Sequence, residues 1–188
     1  MWVCAAPRLI DNSFDPAHVA FVHRGSFGDP QRATFIAPET ERTKFGMVMR
    51  TELDVGNPAV AASSTGTTAL PTVRRTVSSY YAPFLRVMAI THPNGRRHRI
   101  VTTATPVDDT HMRLVQWCIR NDTEAEAPAA EIVAFDRQVT IEDQALLEQT
   151  WSDYAPDLTA NVHLKTDRPT IEVRRILDEI CRGAWADG

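Results

Sequence analysis

The chain has 188 residues, 43% hydrophobic and 23% charged, which suits one globular domain spanning residues 1–188 and able to bury a sizeable core. A formal charge of -4 and an isoelectric point near 5.8 give no general attraction to nucleic acid or to an anionic membrane, so neither is expected as a partner. No apolar run is long enough to span a bilayer, and the first residues lack a basic stretch followed by an apolar one; the expected location is cytoplasmic.

From the start of the chain, Met1 to Ile10 carries Trp2, Val3, Leu9 and Ile10 and reads as a short strand or an extended lead-in. Asp15-Pro16 then suits a helix start, with Asp15 as N-cap and Pro16 at the first helical position. Behind it stand His18 and His23, five residues apart, with Val19, Phe21 and Val22 between them. Neutral imidazole is the commonest protein metal ligand. A five-residue step along a regular α-helix turns two side chains by about 140°, so the rings can face one point only if the helix widens or ends between them.

Asn12, Asp15, His18 and His23, with aromatic Phe21 and the following Arg24-Gly25, resemble the iron-binding helix of Rieske-type non-haem iron oxygenases. The likeness is strongest to the oxygenase subunits of the vanillate demethylase and ring-hydroxylating dioxygenase group. It implies that His18, His23 and one later carboxylate form a facial triad on Fe(II), and that Asp15 bridges to a Rieske centre. Asp15 thus has two readings, cap and electron-transfer bridge, which one carboxylate can serve together. The three cysteines, Cys4, Cys118 and Cys181, form no CxxC pair and suggest no disulfide framework. None is followed by histidine at the Cys-x-His or Cys-x-x-His spacing that holds a [2Fe-2S] Rieske cluster. The resemblance therefore implies that the electron-carrying N-terminal domain is absent from this chain, and that the cluster belongs to a missing domain or a partner.

Ser26 to Pro38, with the polar Glu39 to Lys44 after it, reads as a loop, and Lys44 to Leu53 as a strand with one face buried. Asp54 to Pro71 is rich in Gly, Ala, Ser and Thr and reads as a mobile surface loop, either a functional lid or disorder. Val73 to Tyr81 and Phe84 to Thr91 have strand composition. Asn94-Gly95 suits a two-residue type I′ turn that returns the chain through His98 to Thr105. His111 to Arg120 follows as a strand with His111, Arg113, Val115, Trp117 and Ile119 on one face, completing an antiparallel meander. His111 is a cavity candidate if that face points inward, whereas His92, His98 and His163 read as surface or structural histidines.

Asn121 to Ala130 is an acidic, solvated connection, and Thr140 to Thr150 reads as a helix. The resembled family takes its third iron ligand from an Asp-x-x-x-x-Glu pattern, matched here by Asp143 and Glu148. Asp143 also fits a capping box opened by Thr140, and Glu142 is the alternative carboxylate. Leu158 to Thr166 reads as a strand. Asp167-Arg168-Pro169 opens a final helix with Val173, Ile176, Leu177, Ile180 and Ala184 at helical spacing and Gly183 as its C-terminal cap.

The expected fold is α+β, an antiparallel sheet wrapped around a long C-terminal helix in the helix-grip (START-like) arrangement that the resemblance also implies. Two functions follow. One is an Fe(II) oxygenase domain that activates O2 to hydroxylate or demethylate an apolar aromatic or cyclic small molecule, with electrons from a Rieske donor, a reductase upstream and a homotrimeric assembly. The other is a metal-free helix-grip module that binds an apolar small molecule.

Overall fold

The computed structural model describes residues 1–33, 37–69, 72–151, 154–159 and 161–185. Its frame is one six-stranded antiparallel sheet in sequence order: β1 (Glu39–Thr43), β2 (Gly46–Val55), β3 (Thr72–Tyr81), β4 (Leu85–Thr91), β5 (Arg97–Pro106) and β6 (Met112–Arg120). Period-two alternation sets the inner face. Met47, Met49, Tyr80, Met88, Ile90 and Ile100 point to the core, while Val115, Trp117 and Ile119 of β6 face outward. The shared face of these β6 residues was legible in the sequence, but it is the solvent face. His111 precedes the strand and bonds Asp108 at 3.0 Å in the turn, away from the cavity.

The inner face is covered by α1 (Ala6–Ser13), α4 (Ala129–Leu147) and α5 (Arg168–Cys181). Val173, Ile176 and Leu177 of α5 lie in one apolar cluster with Leu9, Ile10, Phe14, Met47, Met49 and Tyr80. Phe14 meets Tyr80 edge-on at 5.7 Å. Each such side chain contributes about 1.5–3 kcal/mol on burial. A second cluster joins Phe135 of α4 to Phe27, Val55 and Ala61. The grip by α5 is as expected, and its end at Gly183 is too: that residue is left-handed (φ 70°), and Ala184 N–H closes back on Glu179 O at 2.8 Å.

Several local expectations change. The N-terminal segment is helical from Ala6, because Ala6, Leu9, Ile10 and Phe14 form a 3.6-period stripe; the extended lead-in shrinks to Trp2, bridged to Met112. Glu39–Thr43 is an edge strand, whose polar sequence hides its period but suits an edge. The β4–β5 turn is a three-residue loop with only Gly95 left-handed (φ 85°), since Asn94 does not adopt the conformation a type I′ turn requires. The 54–71 segment carries a helical turn, α3 (Ala62–Thr65), and buries Asn57, Ala61, Ser64 and Thr65, so its composition understated its packing; Leu70 and Pro71 lie outside the described residues.

Helix α4 begins eleven residues before Thr140, and Val133 and Ile141 on its solvent side blur the stripe. Thr140 is interior and its hydroxyl donates to Asp136 O at 2.7 Å, so there is no capping box there. Glu124 instead accepts from the Ala129 N–H at the helix start, at 2.9 Å. Leu158 to Thr166 forms no strand among its described residues: Val162 and Leu164 alternate with polar residues but stay exposed, and Lys165–Asp167 makes a 3-10 turn.

Candidate metal centre and cavity

The His18–His23 segment contains one short helical turn, α2 (Val19–Val22), flanked by the two histidines. Asp15 does not cap it directly. Its Oδ1 accepts from Ala17 N–H at 2.8 Å, an Asx turn that aims the chain, and His18 occupies the N-cap position. The helix stops at His23 (φ -90°, ψ 21°), whose carbonyl accepts from Ser26, Phe27 and Gly28 N–H at 2.9, 2.9 and 2.7 Å. This early end removes the 140° divergence of a continuous helix. Gly28 permits the tight return: a Cβ there would stand 2.4 Å from Val19 O and 2.8 Å from the His23 carbonyl carbon. At Gly25 a Cβ would meet Glu142 Oε1 at 2.8 Å, so this glycine admits the α4 carboxylate.

The two rings consequently converge. His18 Nε2 and His23 Nε2 are 3.2 Å apart, and Asp143 Oδ1 from the last turns of α4 lies 3.6 Å from the first and 3.4 Å from the second. These three donor atoms are a group that could hold a metal ion. Each ring is oriented from behind. His18 Nδ1 donates to the Asp15 carbonyl at 2.5 Å, and His23 Nδ1 donates to Glu142 Oε2 at 3.0 Å. With both Nδ1–H groups held by these acceptors, the Nε2 lone pairs face one another and the Asp143 oxygen, a clash that a cation relieves. Three donors about 2.1–2.2 Å from one ion stand about 3.0–3.6 Å apart in octahedral to tetrahedral arrangement, so the triangle fits a divalent metal.

Burial lowers the pKa of His18 and of His23, against Asp143 in the first case and Glu142 in the second; both shifts favour the neutral, ligating form. Burial raises that of Asp143, opposed by His18 and by the Asn12 amide, which donates to Oδ1 at 2.8 Å. Asn12 thus comes to the site from α1 as a holder of the carboxylate. Asp15 lies beside His18, its side chain one-third exposed and its Oδ2 3.9 Å from Nδ1. Glu142, the alternative ligand, stands behind His23 and also accepts from Ser26 Oγ at 2.7 Å. Adjacent positions on a helix point about 100° apart, which is why one carboxylate joins the donors and its neighbour braces them.

The triad opens into a cavity of about 100 Å³ lined by Phe27, Met49, Leu53 and Met88, with Arg74 and Arg86 among its walls. Phe27 stacks on His23 with centroids 4.9 Å apart. Sequence reasoning missed both arginines, Ser26 and Phe27. The inward parity of Arg74 with Thr76, Ser78 and Tyr80 on β3 was the available signal for the first. A smaller cavity of about 30 Å³ continues past Phe27 and Arg74 to His92, His98 and Asp136. Those histidines are buried and do not belong to the triad's donor group: His98 bonds Asp122 at 3.1 Å, and His92 has no hydrogen-bond partner for either ring nitrogen among the described residues.

Residues 2–183 match the sequence family described as vanillate O-demethylase oxygenase C-terminal domain. The fold is similar to that of Pseudomonas putida CBB5 NdmA with caffeine (TM-score 0.76, 21% identity, 96% of this chain and 49% of that chain). It is likewise similar to NdmB from the same organism (TM-score 0.74, 24% identity, 97% of this chain and 48% of that one). At these identities the likeness is one of fold, and the chain spans about half the length of those structures. No curated protein sequence matches at a comparable level. Among the described residues no helix is long and apolar enough to cross a membrane. With a family match over nearly its whole length, an α+β helix-grip fold and a His-His-Asp cluster, the chain belongs to the vanillate O-demethylase C-terminal family, the catalytic domains of Rieske-type oxygenases.

Proposed function

We propose that His18, His23 and Asp143 bind one Fe(II), and that the domain hydroxylates or oxidatively demethylates a small ring-containing molecule. The observation that carries this reading is the convergence of three metal-type donors whose other ring nitrogens are already occupied. Fe(II) held by two imidazoles and a carboxylate supplies O2 activation, with electrons from a [2Fe-2S] Rieske centre outside these 188 residues and a reductase upstream. Asn12 and Glu142 keep Asp143 and His23 aimed before substrate arrives. Phe27, Met49, Leu53 and Met88 exclude water and place a ring beside the donors. Asp15, held to His18 through its carbonyl and one-third exposed, is the natural point of electron entry, and a homotrimer supplying the donor from a neighbouring subunit is the assembly that suits it.

Anaerobic iron content tests the reading. Near one Fe(II) per wild-type chain, lost in the His18→Ala, His23→Ala double variant, is expected. Iron absent from both after anaerobic reconstitution would sink it.

A further inference from the structure

The sheet has two edges, and they are built differently. β1 carries Glu39, Glu41 and Arg42 along its length, a charged composition of the kind that keeps an edge strand from pairing with another chain. β6 has no such protection. Between Arg113 and Arg120 its outward side chains are Val115, Trp117 and Ile119, which are 44%, 48% and 58% exposed. Trp117 ends an apolar row that crosses the outer face from Val87 through Val101.

The backbone of β6 is open as well. At its start, Met112 N–H donates to Trp2 O at 3.1 Å and Met112 O accepts from Trp2 N–H at 2.9 Å, so the peptide groups of Met112 point away from β5. These directions alternate along an antiparallel strand, so Leu114, Gln116, Cys118 and Arg120 turn their peptide groups to the same side. Among the described residues, Trp2 is the one bridged to that side. Beside the free edge runs a groove of about 540 Å³ between Leu114, Gln116 and Cys118 of β6 and Ala129, Ile132 and Val133 of α4.

We infer that β6 is a self-association edge, where a second copy of this chain adds its own β6 antiparallel across a twofold axis at Trp117. The register follows from the free positions. Trp2 closes Met112, and the midpoint of the four open positions, Leu114 to Arg120, is Trp117. An axis there sets Leu114 opposite Arg120 of the second copy and Gln116 opposite its Cys118. Each such pair exchanges two hydrogen bonds, about eight in all. On the outer face the same register sets Trp117 against Trp117 and Val115 against Ile119, so all three exposed apolar side chains of each copy meet an apolar partner. The charges are compatible. Arg120, the one charged side chain within the paired stretch, stands opposite a leucine and is already matched within its own chain by Asp122 at 3.0 Å and Glu124 at 3.2 Å. The groove leaves room for the inward side chains of the added strand. The contact uses no residue of the triad, so it stands or falls independently of the iron reading.

Sedimentation equilibrium of the 188-residue chain over a concentration series tests this. Wild type should have twice the mass of Trp117→Glu, because that variant places two like charges opposite each other at the axis. Far-ultraviolet circular dichroism should be the same for both, since Trp117 lies on the surface. Val77→Glu puts a charge on the same outer face but on β3, and should leave the mass as in wild type. The register has its own test. In a Cys118→Ser, Cys181→Ser background, a mixture of Val115→Cys and Ile119→Cys chains should form an interchain disulfide on mild oxidation, since residues opposed at such positions have Cα atoms about 4.5 Å apart. Neither variant should do so alone. Equal mass for wild type and Trp117→Glu would overturn the inference: if both are monomers, the edge is left to a different chain, and if both are oligomers, the contact lies elsewhere. A mass halved equally by Val77→Glu, or a mixture that cross-links no better than either variant alone, would overturn it too.

Discussion

Two titrating groups on the walls of the smaller cavity oppose each other, and their opposition can be measured. Burial first, then the nearby charge of Arg74, lowers the His92 pKa from its ordinary 6.5 to about 4. Burial raises that of Asp136 from 3.8 to about 6, with Arg74 pulling it back. Between pH 4 and 6.5 the unfolded chain protonates His92 and the native one does not, so this group removes stability as pH falls. Between pH 3.8 and 6 the native chain keeps the Asp136 proton and the unfolded one loses it, so this group removes stability as pH rises. At about 1.4 kcal/mol per pKa unit each effect is about 3 kcal/mol at its limit, and about 2 kcal/mol allowing for water in the cavity. In wild type the two largely cancel from pH 4 to 6. Asp136→Asn should therefore gain about 2 kcal/mol relative to wild type as pH is raised across that window. His92→Phe should lose a similar amount relative to wild type over the same rise. Urea unfolding followed by tryptophan fluorescence at pH steps from about 4 to about 7 reads both differences, and groups common to all three proteins drop out of the comparison. Variant and wild-type curves that stay parallel across the window would refute the argument.

Two further perturbations probe the bracing of the triad. Glu142→Leu leaves the His23 Nδ1–H and the Ser26 hydroxyl without their acceptor, and should weaken binding of Fe(II), or of Co(II) as a spectroscopic stand-in, about 10–100-fold without abolishing it; unchanged affinity by anaerobic titration would remove Glu142 from the site. Gly28→Ala brings a methyl against the Val19 carbonyl and should lower stability by more than about 2 kcal/mol in urea unfolding; a change under about 0.5 kcal/mol would show that the loop closes without the tight approach.

What was legible in the sequence followed from strong local periods and from a residue motif. The four strands between Val73 and Arg120, the C-terminal helix with its Gly183 cap, and the meeting of His18, His23, Asn12 and Asp143 were readable before the fold was known. What was not legible had the wrong surroundings for its period. Glu39–Thr43 is a strand because β2 offers it backbone partners, and its side chains contribute no alternation. Val162 and Leu164 alternate like a strand, yet stay exposed. Leu9 and Ile10 suit either a strand or a helix, and Phe14 against Tyr80 decides for the helix. Glu142 was weighed as a ligand because it adjoins Asp143, and only the three-dimensional position of His23 assigns it the opposite side of the ring.

The inner face of the sheet explains why the site lies where it does. Along β2 and β3, Met47, Met49 and Tyr80 pack under α1 and α5, while Val55 packs with Phe27 and Phe135 under α4. Between these two clusters the inward residues turn polar: Thr51 bonds Thr76 at 2.6 Å, and Ser78, Arg74 and Arg86 follow on the same face. A seam of this composition cannot close as a hydrophobic core, because collapse would strand two guanidinium groups and several hydroxyls without water. It must stay open or hold a ligand. The triad is anchored on both banks: Asn12, which holds Asp143, stands two residues before Phe14 of the first cluster, and His23 stacks on Phe27 of the second, so its arrangement does not depend on a metal. The polar seam weakens the fold, and the same seam leaves a cavity beside a preformed set of metal-type donors.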